Sequence, residues 1–99
     1  MERHLRAKDV VTRRIAGETL LVPVHTRQRD PSDELRTAFL LLNASGESLW
    51  AQLAEPKSVE ELAQHLSIEY EVGPERARDD VESFLRQLRE AQMVIVQES

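Results

Sequence analysis

The chain has 99 residues and a mass of 11.4 kDa, a length typical of one small domain. A chain of this size encloses one modest core, which excludes paired catalytic subdomains, a dinucleotide-binding sheet or a barrel. No apolar run reaches the roughly 18 residues of a membrane-spanning helix, and no signal-peptide pattern follows Met1. The absence of cysteine excludes disulfides, thiolate zinc sites and Cys nucleophiles, and it favours a cytoplasmic protein.

The formal net charge of −5 is unevenly distributed along the chain. Residues 1–37 carry 8 basic and 6 acidic side chains, whereas residues 38–99 carry 5 basic and 12 acidic ones. The C-terminal two-thirds therefore repels a phosphate backbone, which argues against nucleic acid as a partner of that part.

Two short runs rich in β-branched residues predict a hairpin near the start of the chain. Residues 10–15 and 18–24 are joined by Ala16 and Gly17, and a two-residue link ending in Gly is typical of a hairpin turn. Alanine is a weak choice there, because a positive φ is unfavourable for a residue with a Cβ. Pro23 has no N–H to donate, so strand pairing is expected to fade at that position.

A third apolar run, at residues 37–42, follows a polar stretch at 25–36 that predicts a solvated loop. Six residues fit a strand or a helix by periodicity alone. Asn43 behind the run is a favoured helix N-cap, so we predict a strand that ends where a helix starts. The run consists of Thr37, Ala38, Phe39, Leu40, Leu41 and Leu42.

Three helices are predicted after Asn43, at about 44–54, 58–70 and 74–91. Pro56 ends the first helix, Ser58 and Glu61 form the capping-box signature of the second, and Pro74 stands at the first position of the third. Apolar residues recur at helical spacing along each of them. On the third helix this stripe comprises Ala77, Val81, Phe84, Leu85 and Leu88.

Three strands followed by three helices predict an α+β fold, with a small antiparallel sheet packed on a helical trio. We expect a single domain over residues 1–99. The apolar segment at residues 93–96 fits either a terminal strand or a packed tail.

No pattern in the sequence predicts a catalytic or metal site. The three histidines are His4, His25 and His65, and no two have the spacing that places metal ligands on one helix face. Surface positions are the simpler interpretation, with His4 and His25 in flexible segments. The acidic cluster at 79–82 follows a helix start, where carboxylates complement the helix dipole. We therefore expect no enzyme activity, no cofactor and no metal ion.

The run at 37–42 contains three consecutive leucines and no charge, Gly or Pro. It fits a central strand, or a strand that is fully covered by helices. It equally fits an edge strand that is kept open to pair with a partner strand, whose backbone would supply the hydrogen bonds.

Four motifs stand in a characteristic order along the chain. They are Gly17-Glu18-x-Leu20-Leu21-Val22-Pro23, Leu42-Asn43-x-x-Gly46-x-x-x-Trp50-x-x-Leu53, Ser58-Val59-x-Glu61-Leu62 and Asp80-Val81-x-x-Phe84-Leu85-x-x-Leu88. Their order and spacing over about residues 8–96 resemble the PqqD family, whose founding member is coenzyme PQQ synthesis protein D and whose fold is the RiPP recognition element.

The resemblance implies a winged-helix-like fold and a function. Proteins of this family bind the leader segment of a ribosomally made precursor peptide and deliver it to a modifying enzyme, a radical SAM protein in the PQQ pathway. The leader adds as a strand beside the third strand, here residues 37–42, and lies against the third helix. The resemblance draws the groove wall from Ala77, Asp80, Val81, Phe84, Leu85 and Leu88.

One departure from the family pattern lies at the end of the third helix. The usual Gly is replaced by Gln92, so we expect this helix to end without a left-handed glycine cap. The loop at 25–36 is also longer and more charged than in the PQQ proteins, which leaves the pathway open.

Two further possibilities are considered beside a peptide-binding adaptor. A winged-helix DNA-binding regulator is the alternative function, although its recognition helix should carry a basic face. On the third helix the four Arg are offset by Asp79, Asp80, Glu82 and Glu90. An exposed third strand would also allow two copies of the chain to pair as a homodimer.

Overall fold

The computed structural model describes residues 1–23 and 40–98. Its strands are β1 (Glu2–Arg6), β2 (Val10–Ile15), β3 (Glu18–Pro23), β4 (Leu40–Leu42) and β5 (Val94–Glu98). Its helices are α1 (Ala44–Gln52), α2 (Val59–Tyr70) and α3 (Pro74–Glu90). The α+β class, with three helices and antiparallel sheets, is confirmed. The predicted loop at 25–36 and residues 24 and 37–39 of the predicted strands lie outside the described residues.

The hairpin of β2 and β3 forms the first part of a three-stranded antiparallel sheet in the order β2-β3-β4. Its turn residues Ala16 and Gly17 have φ angles of 53° and 82°, so the alanine adopts the positive φ that its Cβ disfavours. Leu20 is the register partner of Leu41, which places β4 beside β3.

A second sheet, which the sequence analysis did not predict, joins β1 to β5 in antiparallel register. The terminal-strand interpretation of residues 93–96 is therefore correct, with β5 starting at Val94. The expectation of a surface His4 in a flexible segment is wrong, because His4 lies in β1 and is 2 % exposed. Backbone hydrogen bonds of 2.7 and 2.9 Å join His4 to Lys57 and fix β1 against the start of α2.

The hydrophobic core lies between the helices and one face of the three-stranded sheet. The predicted helical stripes supply most of it, although Tyr70 at the end of α2 is exposed. Two capped helix starts hold the layers in place: Asn43 caps α1, and Ser58 forms a complete capping box with Glu61 on α2. The buried apolar residues are Leu21, Leu42, Leu49, Trp50, Leu53, Leu62, Ala63, Leu66, Ala77, Val81, Leu85, Leu88 and Met93.

Candidate functional site

Strand β4 lies at the edge of its sheet among the described residues. It pairs with β3 on one side, and no described strand occupies its other side. Leu42 is buried, Leu40 is half-buried, and the side chain of Leu41 is 56 % exposed. Within the described residues, β4 therefore offers a free row of backbone donors and acceptors next to an exposed apolar side chain.

The chain turns from β4 into α1 through Asn43, which shapes the space beside the strand. The Asn43 Oδ1 accepts a hydrogen bond of 2.8 Å from the backbone N–H of Gly46 and one of 3.1 Å from the Ser45 hydroxyl. A Cβ on Gly46 would lie 3.1 Å from that Oδ1 and 3.5 Å from Cε1 of Phe84. The absence of a side chain at Gly46 thus lets α1 approach α3 closely.

A cleft of about 410 Å³ lies between the start of α1 and one face of α3. Its apolar surface comes mainly from the half-buried Phe84, behind which Leu49 is almost fully buried. A basic and an acidic side chain stand on the same face of α3. Polar groups without charge complete it, so the cleft suits a peptide with both apolar and polar side chains. The lining residues are Asn43, Ser45, Leu49, Arg76, Asp80, Ser83, Phe84 and Gln87.

The six residues of α3 named for the groove wall divide into two groups in the structure. Asp80 is exposed and Phe84 is half-buried, and both line the cleft. The other four are at most 2 % exposed and pack in the core, where they support the cleft from behind. These four residues are Ala77, Val81, Leu85 and Leu88.

Three α3 residues of the cleft were not assigned to the groove wall from the sequence: Arg76, Ser83 and Gln87. With Asp80 and Phe84 they follow helical spacing, because residues three and four apart share a face. The sequence therefore shows that these residues share one face of α3. It does not show that this face lines a cleft, because the cleft depends on the position of α1.

A hydrogen-bonded group of serine, histidine and glutamate lies outside the cleft and joins α1 to α2. The Ser48 hydroxyl is 2.9 Å from Nε2 of His65 and donates to Oε2 of Glu69 at 2.8 Å. The same Nε2 is 2.9 Å from that carboxylate oxygen. A catalytic relay uses the two imidazole nitrogens separately, one toward the serine and one toward the carboxylate. The geometry instead fits a polar contact between two helices.

The acidic cluster at 79–82 is exposed on α3, and Glu82 accepts a hydrogen bond of 3.1 Å from Nε of Arg78. Among residues 1–23 and 40–98, no group of three His, Asp or Glu side chains is arranged to hold a metal ion. None of the helices in these segments has the length and apolar character needed to cross a bilayer.

Comparison with known proteins agrees with the resemblance seen in the sequence. The family model of coenzyme PQQ synthesis protein D (PqqD) matches residues 18–94. The solved structure of TbiB1 in complex with the TbiA(beta) leader peptide superposes with a TM-score of 0.69 at 26 % sequence identity, covering 91 % of this chain and 93 % of that one. Among curated proteins, none matches the sequence.

Proposed function

Since the chain belongs to the PqqD family, we propose that it is an adaptor that binds the leader segment of a ribosomally made precursor peptide. One observation carries the proposal: the edge of β4 that no described strand occupies continues through Asn43 into the lining of the cleft between α1 and α3. The likeness to TbiB1, solved with a leader peptide bound, supports it.

In the proposed complex the leader adds as a strand to β4. We propose that the pairing also includes Thr37, Ala38 and Phe39, which precede β4 in the chain. Backbone hydrogen bonds along an edge strand supply affinity that depends little on leader sequence. Pairing with the leader also covers β4 around the exposed Leu41. An unpaired edge strand with apolar side chains is prone to aggregation.

Side chains of the leader would supply specificity through the cleft. Apolar leader residues pack on Phe84, while Arg76, Asp80 and Gln87 offer partners for polar ones. Two or three buried side chains at about 1.5–3 kcal/mol each, less the association and ordering costs, correspond to a micromolar or submicromolar complex.

The proposed adaptor performs no chemistry itself and presents the leader to a modifying enzyme, with a radical SAM protein as the kind of enzyme that the PQQ pathway uses. We place it in the cytoplasm as a single winged-helix-like domain. The DNA-binding alternative gains no support from the structure, since Asp80 lies on the same cleft-facing side of α3 as Arg76, and 12 acidic side chains follow residue 37.

Filling the cleft tests the proposal. Ser83 is exposed at the cleft, so Ser83→Trp should leave the fold intact and block the leader. We expect leader affinity to fall about tenfold or more, because a blocked pocket loses at least one buried anchor. Fluorescence anisotropy with a labelled synthetic leader measures it.

The matched control is Ile15→Trp on β2, another exposed position that lies outside the cleft. Equal leader affinity for Ser83→Trp and the unchanged chain would exclude the cleft. A second variant, Leu40→Pro, examines the strand edge after its fold is verified by circular dichroism. Unweakened binding there would exclude strand addition.

A further inference from the structure

An adaptor must contact its enzyme through a surface that the leader leaves free. A second cleft, of about 440 Å³, lies between α2 and α3. It shares no lining residue with the cleft between α1 and α3, which is the proposed leader site and is called the leader cleft below. The lining residues are Glu60, Ala63, Gln64, Ser67, Ile68, Pro74, Glu75 and Arg78.

The two clefts lie on opposite sides of α3. Each residue of a helix advances by about 100° around its axis, so Pro74, Glu75 and Arg78 centre about half a turn away from Arg76, Asp80 and Gln87. The buried stripe of α3 passes between the two groups. A molecule in one cleft therefore leaves the other accessible.

Several apolar groups line the second cleft. Ile68 is 73 % exposed, more than any other large apolar side chain within the described residues. Ala63 and Pro74 continue the apolar surface beside it. An exposed isoleucine alone is ordinary, but one that lies in a cleft with other apolar groups is typical of a docking site for a protein side chain.

The charged side chains of this cleft indicate which partner surface would be complementary to it. The guanidinium of Arg78 bonds to Glu60 at 3.0 Å and to Glu82 at 3.1 Å, so its positive charge is already compensated. Glu75 has no ion-pair partner among the described residues, and it lies in the acidic C-terminal two-thirds of the chain. The lining thus combines apolar groups with an excess of negative charge, which is complementary to an apolar side chain flanked by Lys or Arg.

We propose that the cleft between α2 and α3 docks the peptide-modifying enzyme through an aliphatic or aromatic side chain set within a basic patch. The inference rests on the proposed adaptor function and names the surface that its second partner uses. Leader and enzyme then bind to opposite sides of α3 at the same time.

Three variants test the docking surface against a purified peptide-modifying enzyme, chosen by a search of the genes that neighbour the gene of this chain. Ile68→Glu should weaken enzyme binding about tenfold or more, because it places a charge in an apolar contact. Glu75→Lys should weaken it several-fold, and raising NaCl from about 50 to about 300 mM should act in the same direction. Ile15→Glu, at an exposed apolar position on β2, is the matched control and should bind normally.

Leader affinity, measured separately with a labelled leader peptide, should be unchanged in all three variants. Enzyme binding that survives Ile68→Glu, or an unchanged chain that does not bind the enzyme, would overturn the docking site whether or not the leader binds. If the enzyme binds through Ile68 but the leader does not bind, the docking site stands and the leader proposal fails. A dimer in sedimentation that Ile68→Glu dissociates would assign the cleft to a second copy and overturn the proposal.

Discussion

Gln92 adopts a backbone conformation that suits glycine, one residue beyond the C-cap of α3. Its φ is 59°. The N–H of Gln92 donates to the carbonyl of Arg89 at 3.0 Å, and the N–H of Met93 donates to that of Leu88 at 2.8 Å. These two bonds define a Schellman motif. The helix does end without a glycine cap, as expected, but the left-handed conformation persists with glutamine in it.

Relief of this conformation should stabilise the protein. We expect Gln92→Gly to raise the free energy of unfolding by about 0.5–1 kcal/mol, because Gly lacks the Cβ that makes a positive φ unfavourable. Urea denaturation measures the change. Gln92→Ala, which keeps a Cβ, is the control, and an equal gain from both substitutions would contradict the explanation.

The buried imidazole of His4 makes stability depend on pH. Burial is the largest influence and lowers the pKa of His4 below its ordinary value of 6.5; Glu2, whose Oε1 is 3.7 Å from Nε2, acts in the opposite direction, and Arg89 lowers the pKa further. The Nδ1 is buried without a hydrogen-bond partner among the described residues.

The unfolded chain therefore binds a proton at His4 at a higher pH than the folded chain does. The resulting stability is fully present above about pH 6.5 and decreases as the pH falls through 6.5 toward the lower folded pKa. We expect the melting temperature to fall between about pH 7 and pH 5, and less so in His4→Phe. Parallel pH profiles of the two proteins would contradict a role for His4.

At the scale of elements, local signals in the sequence predicted helix starts well. The Ser58 hydroxyl accepts from the N–H of Glu61 at 3.1 Å, and the Glu61 carboxylate accepts from the N–H of Ser58 at 3.0 Å. These hydrogen bonds hold the pKa of Glu61 below its usual range. The two hydrogen-bonding residues of this capping box are three positions apart, so the sequence alone is enough to predict it.

Loss of this cap should lower stability by a predictable amount. Ser58→Ala should cost about 1 kcal/mol, because it leaves an N–H at the start of α2 without its acceptor. Thermal melting followed by circular dichroism measures it. Ser58→Thr retains an acceptor and serves as the control; a full loss in that variant would point to the tight burial of Ser58 rather than to the cap.

Strand β1 shows why other elements were not predicted. Its residues Glu-Arg-His-Leu-Arg are mostly polar, and the strand exists because it pairs with β5 at the other end of the chain and with Lys57. The candidate site has the same limit. The leucines of β4 stand out in the sequence, and the family resemblance pointed to Asp80 and Phe84 on α3. Asn43, Ser83 and Gln87 face a common space only because α1 lies beside α3.

At the scale of the whole molecule, one cation ties the smaller sheet to the core. The Arg6 guanidinium lies 5.0 Å from the Trp50 ring centroid, and its Nε donates to the Trp50 carbonyl at 2.8 Å. The backbone N–H of Arg6 donates to the carbonyl of Leu53 at 3.0 Å. Burial lowers the pKa of Arg6, yet the group remains charged at every physiological pH.

Removal of this side chain should weaken the entire fold. We expect Arg6→Ala to lower the free energy of unfolding by about 2 kcal/mol, through the lost charged hydrogen bond and cation–π contact. Trp50 is the single tryptophan, so its emission reports unfolding at the contact itself. The emission and circular dichroism transitions should coincide, whereas separate transitions would show that β1 detaches from an otherwise folded molecule.

The pairing of β1 with β5 has a consequence for how this unit is combined with others. Glu2 and Glu98 are direct register partners in antiparallel strands, and such partners lie about 5 Å apart. The polypeptide thus enters and leaves at one point on the surface. A domain whose first and last strands end close together can be inserted into a surface loop of a larger protein without separating the two ends of that loop. A short linker between these ends would also allow circular permutation of the domain.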